Sequence, residues 1–152
     1  MRVLFLGDIV GRAARHAVIE HVPQLRTELS LDFIVVNCEN AAGGFGVTPS
    51  ICDELFACGI DVLTTGNHVW DKREIIPSVI LTPMLAFDSS CWRLGYGGGF
   101  YDRTLFGLRA AGRHVVALGI AYDGQVVDKV PTGPFDMRLD GVLTPSGLRS
   151  GG

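Results

Sequence analysis

The chain opens on a short apolar run, Val3 to Leu6, that ends at Gly7-Asp8, which predicts a buried strand closing on a polar turn. From Arg12 to Leu29, apolar residues recur near helical spacing at Ala14, Val18, Val22 and Leu25, and Pro23 predicts a kink or split in that helix. Phe33 to Val36 are too uniformly apolar to alternate, the mark of a strand covered on both faces, and they complete a βαβ unit. Thr48 before Pro49 predicts an N-cap with proline in the first turn of a helix that runs to about Cys58 and stops at Gly59. Ile60 to Thr64 then form a third strand.

After a polar stretch, Val69 to Glu74, the run Val79 to Phe87 predicts a strand interrupted by Pro83, hence an edge or a bulge. Gly95 to Gly99 form a loop and Tyr101 to Ala111 a helix closed by Gly112. His114 to Ala121 read as a buried strand, with His114 a core histidine. Val142 and Leu143 suggest a last short strand, and the small polar segment from Pro145 to Gly152 reads as a flexible tail. Strands separated by helices predict the α/β class, with a mostly parallel sheet flanked by helices.

Composition adds limits. With 152 residues, 47% hydrophobic and 19% charged, the chain can bury a core. A net charge of -3 gives no general electrostatic reason to expect nucleic acid or an anionic membrane as partner. Residues 1 to 72 carry five basic against nine acidic residues and the remainder eight against seven, so the halves differ electrically. Cys38, Cys52, Cys58 and Cys91 form neither a CxxC pair nor a zinc spacing, which suits a reducing, cytoplasmic setting without disulfides. The apolar start is too short for a signal peptide or a membrane span.

The candidate chemistry of the first half lies at strand ends, where open parallel sheets place ligands. Gly7-Asp8, Asn37 to Asn40 and Gly66-Asn67-His68 supply oxygen and imidazole donors. Asp8 and Glu39 can bridge divalent metals, Asn67 can add a carbonyl oxygen, and His68 can protonate a leaving alkoxide. Taken singly, Asp8, Asn37 and Asn67 are equally caps of turns and helix starts. In order, GDIVG, NCENAAGGFG and TTGNHVWD resemble the YmdB-type branch of the calcineurin-like metallophosphoesterases over about residues 1 to 72. The resemblance implies Asp8, Glu39, Asn40 and Asn67 as metal-site residues, for Mn²⁺ or Fe, and His68 as the catalytic histidine. Cys38 stands where that family typically has glycine, and the later metal-binding histidines of the family have no counterpart here.

In the second half, Arg93-Leu94-Gly95-Tyr96-Gly97-Gly98-Gly99-Phe100-Tyr101-Asp102-Arg103 directly precedes a predicted helix. Glycines let backbone amides approach a polyphosphate, and the helix amino end favours an anion. A tight structural turn is the plainer reading of the same residues. Asp102 and Asp136 can hold Mg²⁺, while Arg93 and Arg103 can neutralise phosphate. With PSVILTPMLAFD, LGIAYDGQ and LDGVLT, this run resembles 5-formyltetrahydrofolate cyclo-ligase over about residues 75 to 145. That resemblance implies that Arg93, Gly95 to Tyr101 and Arg103 contact ATP and part of a reduced folate, and that Asp102 and Asp136 bind Mg²⁺. The amino-terminal half of that family, with its basic phosphate-binding residues, has no counterpart in this chain.

The two resemblances divide the chain into incomplete α/β half-domains, residues 1–73 and 74–145, with a tail over 146–152. Three readings stay open. One is a cyclo-ligase-like binder of ATP and Mg²⁺, another a metal-dependent phosphodiesterase fragment, and the last an inactive fusion remnant. The expected partners are small molecules, ATP and reduced folate, with nucleic acid relevant only as a phosphodiester substrate, no membrane, and self-association left open.

Overall fold

The computed structural model describes residues 1–66, 68 and 74–151. The chain divides into two compact units, Met1–Ile76 and Pro77–Gly152. Each builds its own sheets, rather than both contributing strands to one sheet.

The first unit runs β1 (Val3–Leu6), α1 (Gly11–Glu28), β2 (Phe33–Asn37), α2 (Pro49–Ala57) and β3 (Val62–Thr64). Its sheet has the order β1-β2-β3 and is parallel throughout. Val18 and Val22 of α1 and Ile51 and Leu55 of α2 share one core with Ile34 and Val36 of β2. The helix α1 runs from Gly11 to Glu28 through Pro23, so the expected split does not occur; the buried Val22 stays seated in the core just before the proline. The N-cap at Thr48 forms as the sequence implies, its Oγ1 accepting from the Ile51 amide at 3.4 Å. Gly59 ends the segment in the left-handed region, φ 98°.

One expectation is corrected in this unit. The run from Phe33 to Val36 alternates in burial, with Ile34 and Val36 buried, Val35 half-buried and Phe33 exposed. Both helices pack against the Ile34 and Val36 side, so among the described residues of this unit β2 is covered on one face.

The second unit contains β4 (Val79–Pro83), β5 (Ala86–Phe87), β6 (Arg93–Leu94), α3 (Phe100–Ala110), β7 (Val116–Ile120), β8 (Gly141–Thr144) and β9 (Gly147–Ser150). Strands β4, β7 and β8 are parallel, β9 joins β8 antiparallel, and β5 and β6 form a separate two-stranded ribbon. The interruption expected at Pro83 is where β4 ends. Asp140 ties α3 to the sheet, its Oδ2 accepting from the Ala117 amide at 2.7 Å and from Arg109 Nη2 at 2.9 Å.

Two further expectations change here. The segment read as a flexible tail contains β9. Gly147 turns the chain at φ 121°, and Asp123 holds the turn by accepting from Thr144 Oγ1 at 2.7 Å and Ser146 Oγ at 2.9 Å. The Thr144 hydroxyl, more than Ser146 and Arg149, holds the Asp123 carboxyl below its ordinary pKa. His114 is exposed and precedes β7, which begins at Val116, so it is not a core histidine. No described helix is long and apolar enough to cross a membrane. The four cysteines are free thiols.

Candidate functional site

In the first unit, three backbone bonds draw the loops after the strands together. The Ile9 amide donates to the Asn37 carbonyl and the Gly11 amide to the Asn40 carbonyl, both at 3.0 Å, and the Cys38 amide donates to the Thr64 carbonyl at 2.9 Å. The polar residues after β1, β2 and β3 therefore meet at one edge of the sheet. Asn40 Nδ2 donates to Asp8 Oδ2 at 2.7 Å, and Asn40 Oδ1 lies 2.7 Å from His68 Nδ1. The Phe45 ring stands edge-on to the imidazole, with centroids 5.5 Å apart. Asn37 Oδ1 accepts from the Glu39 amide at 3.0 Å, fixing the turn that carries Glu39. Gly66 lies directly under the Glu39 carboxylate, since a Cβ there would come within 2.0 Å of Oε2.

Asp8, Asn40 and His68 are thus joined in one hydrogen-bonded chain, with Glu39 positioned over Gly66. Asn67 lies outside the described residues. Oxygen donors of this kind suit hard divalent ions. Yet among the described residues no group of three or more His, Cys, Asp and Glu is placed to hold a metal ion, so the described donors alone do not make up a metal centre. Cys38 adds no ligand: burial, with the neighbouring Cys52 and carboxylates, pushes its thiol up to about 12.

In the second unit, Gly97 and Gly99 both adopt positive φ, 86° and 61°, and Gly99 is the N-cap of α3 with no side-chain cap bond. The amino end of an eleven-residue helix is left with backbone donors that no side chain caps. Tyr96 and Phe100 are strongly exposed. Arg103 lies over the Phe100 ring at 5.1 Å and donates from Nη2 to the Gly98 carbonyl at 3.0 Å.

Arg93 and Asp102 behave differently from the other loop residues. Their side chains are only 6% and 16% exposed and form an ion pair of 2.7 Å, and Asp102 Oδ1 also accepts from the Met137 amide at 3.0 Å. The Arg93 guanidinium lies against the Tyr101 ring at 5.3 Å, and its Nε is buried with no hydrogen-bond partner among the described residues. Such an orphaned donor costs free energy unless an acceptor reaches it. Asp136 sits on an exposed turn, where its Oδ2 accepts from the Gly133 amide at 2.7 Å. The bond from Met137 brings the Asp136 segment to the start of α3. Asp102 faces Arg93 and Met137, while Asp136 faces Gly133.

Sequence reasoning missed Phe45 and the Met137 amide. The aromatic residue inside AAGGFG was a usable signal for the first. Nothing in the sequence marks a backbone amide 35 residues from Asp102.

Two strand-end donor sets with different chemistry define a composite α/β chain, and the comparisons with known proteins agree. The chain belongs to two families, the YmdB-like proteins through residues 4–85 and the 5-formyltetrahydrofolate cyclo-ligase family through residues 64–145. It is similar to the 2',3'-cyclic-nucleotide 2'-phosphodiesterase of Bacillus subtilis, at 46% identity over 85 residues, covering 56% of this chain and 32% of that protein. It is also similar to the 5-formyltetrahydrofolate cyclo-ligase of Escherichia coli K12, at 44% identity over 80 residues, covering 50% of this chain and 43% of that protein. The NMR structure of Aquifex aeolicus 5,10-methenyltetrahydrofolate synthetase superposes with a TM-score of 0.44 at 20% identity, covering 90% of this chain and 80% of that one. The chain spans less than half the length of either curated relative.

Proposed function

We propose that the second unit binds ATP with Mg²⁺ through residues 93–103, as a cyclo-ligase-like module that takes a reduced folate as the second small molecule. The observation that carries this reading is the uncapped amino end of α3 behind a loop turned by Gly97 and Gly99. Backbone donors there can surround a phosphate without side chains in the way. Arg103, exposed beside the loop, supplies a positive charge, while Arg93, paired with Asp102, holds the start of the loop in place. Gly95, Tyr96, Gly98, Phe100 and Tyr101 complete the cradle. Asp136, with Asp102, would hold Mg²⁺, whose chemistry is to neutralise charge on the phosphates. Positioning and charge neutralisation, rather than a covalent nucleophile, are what this loop can contribute.

Isothermal titration with Mg·ATP tests the reading. The wild type should bind, and Arg103→Ala, which removes a charge-assisted contact worth ~1.5–3 kcal/mol, should bind about ten- to a hundredfold more weakly. An unchanged isotherm in that exposed-residue variant, or no binding by a folded wild type, overturns it. Binding that is equal with EDTA removes Mg²⁺ from the proposal.

A second reading is favoured by the chain Asp8–Asn40–His68, an arrangement that can hold an imidazole ready for proton transfer to a leaving alkoxide. It assigns the first unit to phosphodiester hydrolysis with Mn²⁺ or Fe at Asp8, Glu39, Asn40 and Asn67, and with His68 as the acid. Turnover of a chromogenic phosphodiester with Mn²⁺ should disappear in Asp8→Asn; persistence of activity sinks it. Absence of both ATP binding and turnover in a folded chain leaves the inactive fusion product.

A further inference from the structure

We propose that this chain self-associates, two copies pairing through the uncovered face of the four-stranded sheet of the second unit. Strand register defines that face. Val79 and Leu81 of β4 stand beside Val116 and Leu118 of β7, Ile120 beside Leu143 of β8, and Leu143 beside Leu148 of β9. The opposite face carries Ile80, Thr82, Ala117 and Val142, all buried. Val79, Leu81, Val116, Ile120, Leu143 and Leu148, in contrast, are each between 43% and 62% exposed. No charged residue interrupts them.

Parallel strands are normally covered on both faces, and an open apolar face of this kind marks an interaction surface. The occupant has to be uncharged, apolar and flat enough to follow a twisted sheet. Another sheet packing about 10 Å away meets that description, and a second copy of this face supplies one. The six side chains expose at most roughly 500 Å² per copy, so pairing two copies removes up to about 1,000 Å² of surface, the lower bound for a specific interface and the size of a weak dimer. A two-fold arrangement places the same strip on both sides and closes on itself, so it stops at a dimer. The first unit has a related strip, Val3, Phe5 and Phe33, but it rests on three short strands and offers less area. Pairing that strip with the β4 face would be head-to-tail and would build open chains instead.

Light scattering on the size-separated full chain tests this. The wild type should rise to twice the chain mass as concentration increases, and stop there. Leu81→Lys and, independently, Leu148→Lys should return a single chain mass with an unchanged far-UV circular dichroism spectrum, because both side chains already face solvent in one copy. Phe5→Lys should stay dimeric. A monomeric wild type, a dimer that persists in both lysine variants, or dissociation caused by Phe5→Lys alone would each overturn the assignment. Concentration-dependent growth beyond a dimer would favour the head-to-tail alternative and overturn it as well.

Discussion

Removing the Asp102 carboxylate should cost the second unit most or all of its fold. In Asp102→Ala, the Arg93 guanidinium, 6% exposed, loses its ion-pair partner while its Nε already lacks an acceptor. Breaking a buried pair from one side costs about 3–5 kcal/mol, because a charge is left buried and uncompensated. The Met137 amide loses its acceptor too. A unit the size of Pro77–Gly152 seldom holds more than about 3–5 kcal/mol of net stability. The loss is therefore of the order of the whole reserve. Near-UV circular dichroism and the fluorescence of Trp92, whose amide is bonded to Asp88, should report an unfolded second unit without denaturant. Arg93→Met with Asp102→Ala removes both charges and should regain at least half of the lost stability, since apolar replacement of a buried pair is often neutral. An Asp102→Ala variant within roughly 0.5 kcal/mol of wild type in urea would refute the reasoning, as such a small change is typical of a surface site.

Three further outcomes follow from the first unit. Gly66→Ala places a methyl group where the Glu39 carboxylate now lies, so this flexible side chain must swing aside and any thermal stabilisation by Mn²⁺, measured by a melt with and without the ion, should weaken; equal stabilisation would show that the present position of the Glu39 carboxylate is not needed. Asp61 is held below its ordinary pKa first by its bond from Arg26 and then by the Ile34 amide, so its contribution is present above the usual carboxylate range and fades as pH falls through the depressed value. Melts from neutral pH into acid should show this loss in wild type and a smaller one in Asp61→Asn. Cys38, with its thiol pushed up to about 12, should resist a thiol reagent at mildly alkaline pH until denaturant is added; prompt reaction in the folded chain contradicts its burial.

What the sequence disclosed was governed by short-range rules. Thr48 caps α2, Gly59 turns the chain after it, and Pro83 ends β4 because each acts on its own backbone within a few residues. The polar strand ends of the first unit were legible for the same reason, since a parallel sheet presents successive loops at one edge. Long-range partners were not. The hydroxyls and Arg149 that bind Asp123 turn a polar tail into β9, and nothing near Pro145 announces Asp123. Arg93 looked available to phosphate because it flanks the glycines, whereas the fold turns it inward to Asp102. The uniform apolarity of Phe33 to Val36 encodes two covered faces, and the described chain covers one.

The chain Asp8–Asn40–His68 also has a direction. A carboxylate can only accept, so the amide of Asn40 must turn its nitrogen to Asp8 and its oxygen to the ring. That oxygen is an acceptor, so the hydrogen between it and His68 is carried by Nδ1. Asp8, joined to the imidazole through Asn40 alone, thereby fixes the sense of both hydrogen bonds. A half-turn of the Asn40 amide would set its oxygen against the Asp8 carboxylate, acceptor against acceptor, so the carboxylate is what holds the amide in its present sense.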